Sequence, residues 1–334
     1  MYYNEYDLSV YNNEIKEFLP SKIIDSHAHV WLDKFILNIE TKKRGVNWIK
    51  LVANDNPCDE LMNTYKTVFQ GIDVEPVIFG FPDVNTDIEI SNNYVLKQPF
   101  RKLVLSLPEW TADKLYAEIK RGFCGLKPYF TFAPKHISEN EITIFDYLPK
   151  HHLEVCNEFG LPVVLHIPRS NRLKDKMNLQ QLLEIDKKFK NVKLVIAHIG
   201  RMYCKEDFAD AFEVLKQTKN LYFDFSANCL DLAMENVLKY FGSERLIFGS
   251  DLPITKMRMQ RISVAGKYLN LVPKGLYGDL SGEVSMGELP DLLSEKLTLF
   301  INEEILACKR AVTACKMGRN DVENIFYNNS NNIF

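Results

Sequence analysis

Short apolar segments alternate with amphipathic segments along most of the chain. The apolar segments are almost continuously hydrophobic, which is typical of strands buried on both faces of a parallel sheet. They lie at 23–30, 76–81, 102–107, 124–130, 161–167, 193–199, 221–226 and 246–251. Stretches with the period of a helix lie between them, at 111–121, 145–159, 178–190, 205–218 and 233–241. The pattern therefore predicts alternating strands and helices.

Eight such strands in a chain of 334 residues predict an α/β fold of the (β/α)8 barrel type, the TIM barrel. A doubly wound open sheet is the alternative, but no glycine-rich turn for a dinucleotide follows the first strand, so no cofactor of that kind is expected. We expect a single domain over residues 1–334, with the barrel at about 23–253.

The segments outside the barrel pattern carry their own predictions. Residues 1–20 predict an N-terminal helical extension, and 293–327 predict C-terminal closing helices. The segments 31–50 and 255–292 are longer than ordinary loops between strand and helix. We expect them to shape or cover the mouth of the barrel.

Composition narrows the class of partner. The hydrophobic fraction of 46% and the net charge of −3 fit a globular protein without a basic surface, so nucleic acid and anionic membranes are not expected partners. No apolar run reaches the length of a membrane span, and no secretory signal is visible. The seven cysteines form no Cys-x-x-Cys pair, which favours free thiols and a cytoplasmic location. We expect a small-molecule substrate, with a homodimer left open.

Polar residues stand at the C-terminal ends of several predicted strands, where TIM-barrel enzymes carry their working groups. Asp25, His27 and His29 alternate along the first strand and so share one face. The later strands contribute Lys127, His166, His198 and Asp251. Imidazole and carboxylate together bind zinc, manganese or iron. The set predicts a catalytic divalent metal site; hydrogen-bonded core histidines are the alternative.

The motifs resemble those of the amidohydrolase superfamily. The closer similarity is to its amidohydrolase-related branch, which includes aminocarboxymuconate-semialdehyde decarboxylase, resorcylate decarboxylases and lactone hydrolases. The resemblance covers residues 23–334. It rests on Asp25-x-His27-x-His29, Gly122-Phe-Cys-Gly-Leu-Lys127, Ala197-His198-Ile-Gly-Arg201, Phe248-Gly-Ser-Asp251-Leu-Pro253 and the asparagine-rich end at 328–332.

The resemblance implies roles for individual residues. His27, His29, His166 and Asp251 become the metal ligands, with zinc as the expected ion and manganese or iron as alternatives. Asp251 would also move a proton, and His198 would polarise the substrate or act as a further ligand. Lys127 matches a lysine that is carboxylated and bridges two metals in binuclear relatives, or else it faces the substrate as an ammonium group.

The function predicted first is hydrolysis of a small-molecule amide, lactone or ester by metal-activated water. The alternative is non-oxidative decarboxylation of an aromatic or enoic acid at the same site. A barrel that has lost catalysis and only binds a ligand is a third hypothesis, but four buried metal-binding groups without a metal would be costly.

Further side chains are candidates for contact with the substrate. Arg169 and Arg201 each follow a candidate site histidine by three residues and could bind a carboxylate through two hydrogen bonds, against the alternative of exposed loop arginines. Trp31 could stack on a substrate or pack in the core. Asp25 and Asp224 are expected to form buried hydrogen bonds, with Asp224 also a candidate to line the pocket. The remaining histidines are expected to be solvated: His136, His151 and His152.

Overall fold

The computed structural model describes residues 3–37, 44 and 49–334. Seven parallel strands of the barrel wall form two hydrogen-bonded sheets, in the orders β1-β2-β3 and β4-β5-β6-β7. Their bounds are β1 (Lys22–His29), β2 (Asp73–Phe79), β3 (Arg101–Lys102), β4 (Pro162–Leu165), β5 (Lys193–Ile196), β6 (Leu221–Asp224) and β7 (Leu246–Ile247). The register is parallel throughout, as the near-continuous hydrophobic segments predict.

Single bridges join the two sheets into a ring. Leu126 pairs with Val104 on one side and with Val163 on the other, so it links β3 to β4. Ala28 of β1 pairs with Leu252, just beyond β7. The fold is therefore the predicted TIM barrel, although its third, fourth and eighth strands are much shorter than the pattern indicates.

Local backbone chemistry explains two of these short strands. The predicted fourth strand, 124–130, is reduced to a bridge at Leu126, because Pro128 has no N–H with which to continue a ladder. The predicted eighth strand, 246–251, ends at Ile247. The next N–H, that of Phe248, donates to the carbonyl of Ile325 at 2.9 Å instead of to a neighbouring strand, and Asp251 leaves the extended conformation with a φ of +55°.

Helices fill the connections between strands. Their bounds are α1 (Glu5–Val10), α2 (Ile49–Val52), α3 (Cys58–Val68), α4 (Ile88–Leu96), α5 (Ala112–Lys120), α6 (Lys150–Phe159), α7 (Lys176–Lys188), α8 (His198–Arg201), α9 (Ala211–Leu215), α10 (Asp231–Phe241), α11 (Asp291–Ser294), α12 (Phe300–Ala314), α13 (Arg319–Glu323) and α14 (Asn329–Ile333). Of these, α8 is a single left-handed turn, because all four of its residues have positive φ. Predicted helices correspond to α5, α6, α7 and α10, and N-cap side chains such as Thr111 and Asp175 start two of them. The predicted helix at 205–218 is broken into a 3₁₀ turn and α9.

The chain termini extend the barrel as predicted. α1 and a π-helical turn at Tyr11–Ile15 form the N-terminal extension, and α12 to α14 close the C-terminal side. The two ends pack together, with the rings of Phe18 and Phe326 edge to face at 5.7 Å. In the described part of the chain, no helix combines the length and apolarity that crossing a bilayer requires.

The long segment after β7 forms a small sheet of its own. Its strands are β8 (Gln260–Val264), β9 (Lys267–Pro273) and β10 (Met286–Leu289), in the order β10-β9-β8. Arg261 of β8 and Tyr268 of β9 line the main cavity, so this segment shapes the mouth as predicted. In the other predicted covering segment, residues 38–43 and 45–48 lie outside the described residues.

Candidate metal centre

A cavity opens at the C-terminal ends of the barrel strands. One part of its wall comes from strand ends: His27, His29, His166, His198 and Asp251. Another part comes from connections between strands, and we call this group the mouth: Arg44, Arg201, Tyr203, Arg261 and Tyr268. The cavity thus combines metal-binding groups with cationic and aromatic groups.

The tightest group of potential ligands is His27, His198 and Asp251, whose ligand atoms lie within 4.8 Å of one another. His29 adjoins it, with Nε2 at 3.1 Å from Asp251 Oδ1, and His27 Nε2 is 3.5 Å from the same oxygen. Two atoms that each lie about 2.0–2.1 Å from a tetrahedral metal ion are about 3.3–3.4 Å apart. The separations of His29 Nε2 and His27 Nε2 from Asp251 Oδ1 therefore fit atoms that share one ion.

Hydrogen bonds fix which ring nitrogen of each histidine faces the cavity. His29 Nδ1 lies 3.2 Å from the carbonyl oxygen of Gly80, and His198 Nδ1 lies 2.8 Å from that of Ser226. Because a carbonyl oxygen only accepts, both Nδ1 atoms carry hydrogen. The Nε2 of each ring then faces the cavity. His29 Nε2 lies 3.1 Å from Asp251 Oδ1, where a metal ion can take the place of the hydrogen between the two groups.

Asp224 orients two of the histidines. Its Oδ2 is 3.0 Å from His27 Nδ1, and its Oδ1 accepts the backbone N–H of His198 at 2.9 Å. Ser226 Oγ donates to the same Oδ1 and lies 2.9 Å from His198 Nδ1. A carboxylate on the far nitrogen of a ligating imidazole is a recurrent feature of metal sites. Asp224 therefore lies behind the ligands rather than on the cavity wall.

The protonation states suit a cation. Burial and, to a smaller extent, the nearby Lys127 lower the pKa of His27 to about 3. Burial also lowers the pKa of His198. Burial alone raises the pKa of Asp251, but the hydrogen bond from His29 and the neighbouring His198 hold it below its usual value. Neutral imidazoles beside an ionised carboxylate are the forms that bind a metal.

Asp25 ties the first strand to the eighth. Its carboxylate accepts the N–H of His27 at 3.0 Å and of Ser250 at 2.8 Å, and the hydroxyl of Tyr65 at 2.6 Å. Burial raises its pKa to about 6, against the lowering effect of these hydrogen bonds. Because Ser250 precedes Asp251, this network positions the Asp251 carboxylate and gives Asp25 the expected buried role.

The backbone is strained where the site residues sit. Positive φ values occur at His198 (56°), Arg201 (62°), Ala227 (47°) and Asp251 (55°). Residues other than glycine rarely adopt this region, at a cost of about 1–3 kcal/mol each, and such strain clusters at functional sites. All four residues line the cavity.

Two motif glycines are required by close approach. A Cβ on Gly249 would lie 2.6 Å from the Cβ of His27, and a Cβ on Gly125 would lie 2.5 Å from the carbonyl oxygen of Pro162. Separations below about 3 Å are far inside van der Waals contact, whose optimum is about 3.5–4.0 Å. The glycines of Gly249-Ser-Asp251 and Gly125-x-Lys127 therefore let neighbouring strands approach.

His166 and Lys127 lie beside the tight group. The ring of His166 packs against those of Phe130 and His198, at 5.2 and 5.1 Å between centroids, and its buried Nδ1 has no partner among the described residues. Lys127 is fully buried, with Nζ 3.4 Å from His27 Nε2. Burial lowers its pKa to about 8. Both residues are placed to meet a ligand of the site.

Of the three remaining candidates for contact with the substrate, only one lines the cavity. Arg201 lines the cavity, and its Nη1 donates to the carbonyl of Arg169 at 3.1 Å. Arg169 instead forms an ion pair with Asp175 at 3.0 Å and is absent from the cavity wall. Trp31 is buried, stacks on Phe81 at 4.8 Å and lies behind the wall, so it packs in the interior.

One expectation about the other histidines is wrong. His152 is fully buried rather than solvated, and its Nε2 bonds the carbonyl of Trp110 at 2.9 Å. Its position on the inner face of α6 explains the burial, because Leu153 and Cys156 of the same helix are also buried. His136 is exposed, as expected.

Sequence reasoning missed most of the mouth. Arg44, Tyr203, Arg261 and Tyr268 lie in connections whose course carries no periodic signal. Ser226 could have been found, because the alternation Asp224-x-Ser226 places both on one face at the end of β6.

The chain belongs to the amidohydrolase family, whose pattern it matches over residues 24–261. No curated protein matches it. Its membership makes it one of a family of metal-dependent enzymes, in agreement with the resemblance and with the cluster of His27, His198 and Asp251.

Several solved structures share the fold. A protein assigned as a 2-pyrone-4,6-dicarboxylic acid hydrolase from Acinetobacter baumannii, with citric acid bound, has a TM-score of 0.57 at 15% identity, over 93% of this chain and 98% of that one. An amidohydrolase from Burkholderia multivorans with bound zinc has a TM-score of 0.56 at 11% identity, over 93% and 98%. A 2,6-dihydroxybenzoate decarboxylase in complex with 2,6-dihydroxybenzoate also has a TM-score of 0.56 at 11% identity, over 93% of this chain and 98% of that one. At these identities the similarity shows the fold.

Proposed function

We propose that this protein is a metal-dependent hydrolase that cleaves a small-molecule lactone, amide or ester at the C-terminal end of the barrel. The observation that carries the proposal is the convergence of His27, His198 and Asp251 within 4.8 Å, at the wall of a cavity at the C-terminal ends of the barrel strands. The bound zinc of the Burkholderia multivorans structure supports zinc as the ion, with manganese and iron as alternatives.

The ligand set is part of the proposal. His27, His29 and Asp251 would hold the ion together with His198, and His166 would complete the set or face the substrate. When bound, the divalent ion would lower the pKa of a water molecule and polarise the carbonyl that is attacked.

The protein's own groups would handle the proton. Asp251 is ionised and lies at the cavity wall, so it would accept a proton from water and return it to the leaving group. His198 carries its hydrogen on Nδ1, directed at Ser226, and therefore has no donor on Nε2 while neutral. This geometry favours His198 as a ligand or proton acceptor over a role in polarising the carbonyl.

Decarboxylation is the second candidate, because Arg201 and Arg261 on the cavity wall could hold a carboxylic acid substrate. A carboxylated Lys127 bridging two ions would fit either reaction. The free state of all the cysteines supports the proposed cytoplasmic location.

The test is a substrate panel on zinc-loaded protein. Lactones, amides and esters, each with and without a carboxylate, are assayed for acid release, and aromatic acids are assayed for carbon dioxide. Asp251→Asn serves as the inactive enzyme, and Asp279→Asn, an exposed acid outside the cavity wall, as the control. Acid release that Asp251→Asn abolishes is the expected result; carbon dioxide release would select the second candidate, and neither product would refute both.

A further inference from the structure

The guanidinium of Arg261 is held in an aromatic enclosure at the mouth. Its Cζ lies 4.7 Å from the ring centroid of Tyr203, 4.8 Å from that of Tyr268 and 4.6 Å from that of Phe300. A guanidinium within about 6 Å of a ring face is attracted to it. Contacts with three rings restrict the position of the Arg261 guanidinium far more than that of an exposed arginine is restricted.

Two hydrogen bonds fix its orientation. Nε donates to Asn270 Oδ1 at 2.8 Å, and Nη1 donates to the carbonyl of Ala227 at 2.7 Å. Ala227 is itself held from behind, because its N–H donates to the buried Glu304 at 2.8 Å. A guanidinium has five N–H donors, and Nη2 of Arg261 has no partner among the described residues.

Three arginines line the cavity without an ion pair among the described residues: Arg261, Arg201 and Arg44. Both Nη atoms of Arg44 already donate to backbone carbonyls, those of Ala133, Pro134 and Ile137. Arg169 and Arg172, which do not line the cavity, have acidic partners in Asp175 and Asp207. Arg261 and Arg201 both lower the pKa of Tyr203, which burial raises to about 12.

Two partly enclosed guanidinium groups that form no ion pair among the described residues favour an anionic ligand. Guanidinium groups bind carboxylate through paired, charge-assisted hydrogen bonds, and the binding is strongest where water is excluded. The rings of Tyr203 and Tyr268 at the same wall offer faces for a flat, unsaturated ligand.

We propose that Arg261 and Arg201 bind a carboxylate of the substrate that does not react, with Tyr203 and Tyr268 against its flat body. The substrate class is then a small unsaturated or aromatic acid that also carries the lactone, amide or ester bond. The inference deepens the proposed function and rests on it for the bond that is cleaved, but not for the binding of the carboxylate.

The test uses benzoate as the probe, with benzamide as its uncharged match, and measures binding by titration calorimetry. Asp251→Asn protein freed of metal is the host, so that the probe carboxylate cannot bind an ion. Benzoate should bind and benzamide should not. Arg261→Lys and Arg201→Lys, each made in this host, should weaken benzoate binding by about tenfold or more, because lysine keeps the charge but loses the paired hydrogen bonds.

Arg172→Lys is the matched control. Its guanidinium lies over the same two rings, at 5.1 Å from Tyr203 and 5.6 Å from Tyr268, but it pairs with Asp207 and does not line the cavity. This variant should bind benzoate like its parent. Failure of benzoate to bind, equal binding of benzamide, or an equal loss in all three lysine variants would overturn the inference.

The outcome is separable from that of the proposed function. Benzoate binding that depends on Arg261, in a protein that cleaves no lactone, amide or ester, would keep the subsite and refute the hydrolase. Cleavage of neutral esters without preference for a carboxylate, combined with no benzoate binding, would do the reverse. Thermal melting of each variant confirms that it is folded.

Discussion

The metal centre and the mouth share one cavity but are built differently. The metal centre comes from strand ends, where Asp25, Asp224 and backbone carbonyls hold each ligand from behind. The mouth comes from connections, and its arginines are held by rings and carbonyl groups. We infer that changes in the metal centre alter ion binding and hence all activity, whereas changes in the mouth alter only the choice of substrate.

The largest expected effect is that of removing the charge of Asp251. Asp251→Asn should weaken metal binding by at least about 100-fold, since ligands contribute more than the groups behind them, whose loss costs about 10–100-fold. Metal per chain after dialysis, measured by mass spectrometry, checks this, with Asp279→Asn as the control. Full metal content in Asp251→Asn would break the distinction between the two regions.

A smaller loss of metal affinity is expected from changing Asp224, which lies behind the proposed ligands. Asp224→Asn should weaken metal binding by about 10–100-fold, because an amide cannot hold the hydrogen of His27 on Nδ1 as a carboxylate does. Competition with a chelator of known affinity measures the change. Unaltered affinity would mean that Asp224 serves the fold alone.

A change in the mouth should leave the ion in place. Arg201→Lys should lower kcat/KM for a carboxylate substrate by about tenfold, or about 1.4 kcal/mol, because the paired hydrogen bonds are lost. Metal content should match that of the wild type. Loss of metal from this variant would show that the regions are coupled.

The smallest expected effect is on the free energy of unfolding and comes from His152, which lies outside both regions. Burial lowers the pKa of His152 from 6.5 to about 4, so between these values the unfolded chain takes up a proton that the folded protein does not. Stability should therefore fall as the pH falls from 6.5 to 4, with a slope of up to about 1.4 kcal/mol per pH unit from this residue.

Urea unfolding across that pH range, in His152→Gln and in the wild type, measures the contribution. The variant should show a shallower fall, and His136→Gln, at an exposed position, should show the wild-type slope. Parallel curves for His152→Gln and the wild type would contradict the assignment.

The sequence predicts the metal centre in part. His27 and His29 alternate on a strand, and His198 and Asp251 follow apolar strands, so periodicity predicts their convergence at one end of the barrel. Which of them form the tight group depends on positive φ values and on hydrogen bonds between residues about 200 apart in sequence, as between His27 and Asp224. No local pattern encodes these.

The mouth escaped prediction for a related reason. Arg261 meets Tyr203 and Phe300 only through the path of the β8–β9 hairpin, which has no period tied to the barrel. Arg201 follows His198 by three residues along the chain, and Arg169 follows His166 by the same spacing. The side chain of Arg169, however, pairs with Asp175 and does not line the cavity. Spacing along the chain therefore identifies candidate residues, but only the tertiary structure shows which of them reach the cavity.

We propose above all that one divalent ion is shared by His27, His198 and Asp251. Anomalous X-ray diffraction at the zinc edge, on crystals of the zinc-loaded protein, would locate this ion. A peak is expected within about 2.0–2.3 Å of His27 Nε2, His198 Nε2 and an Asp251 oxygen. Absence of a peak in the cavity, or a peak bonded to none of these three side chains, would contradict it.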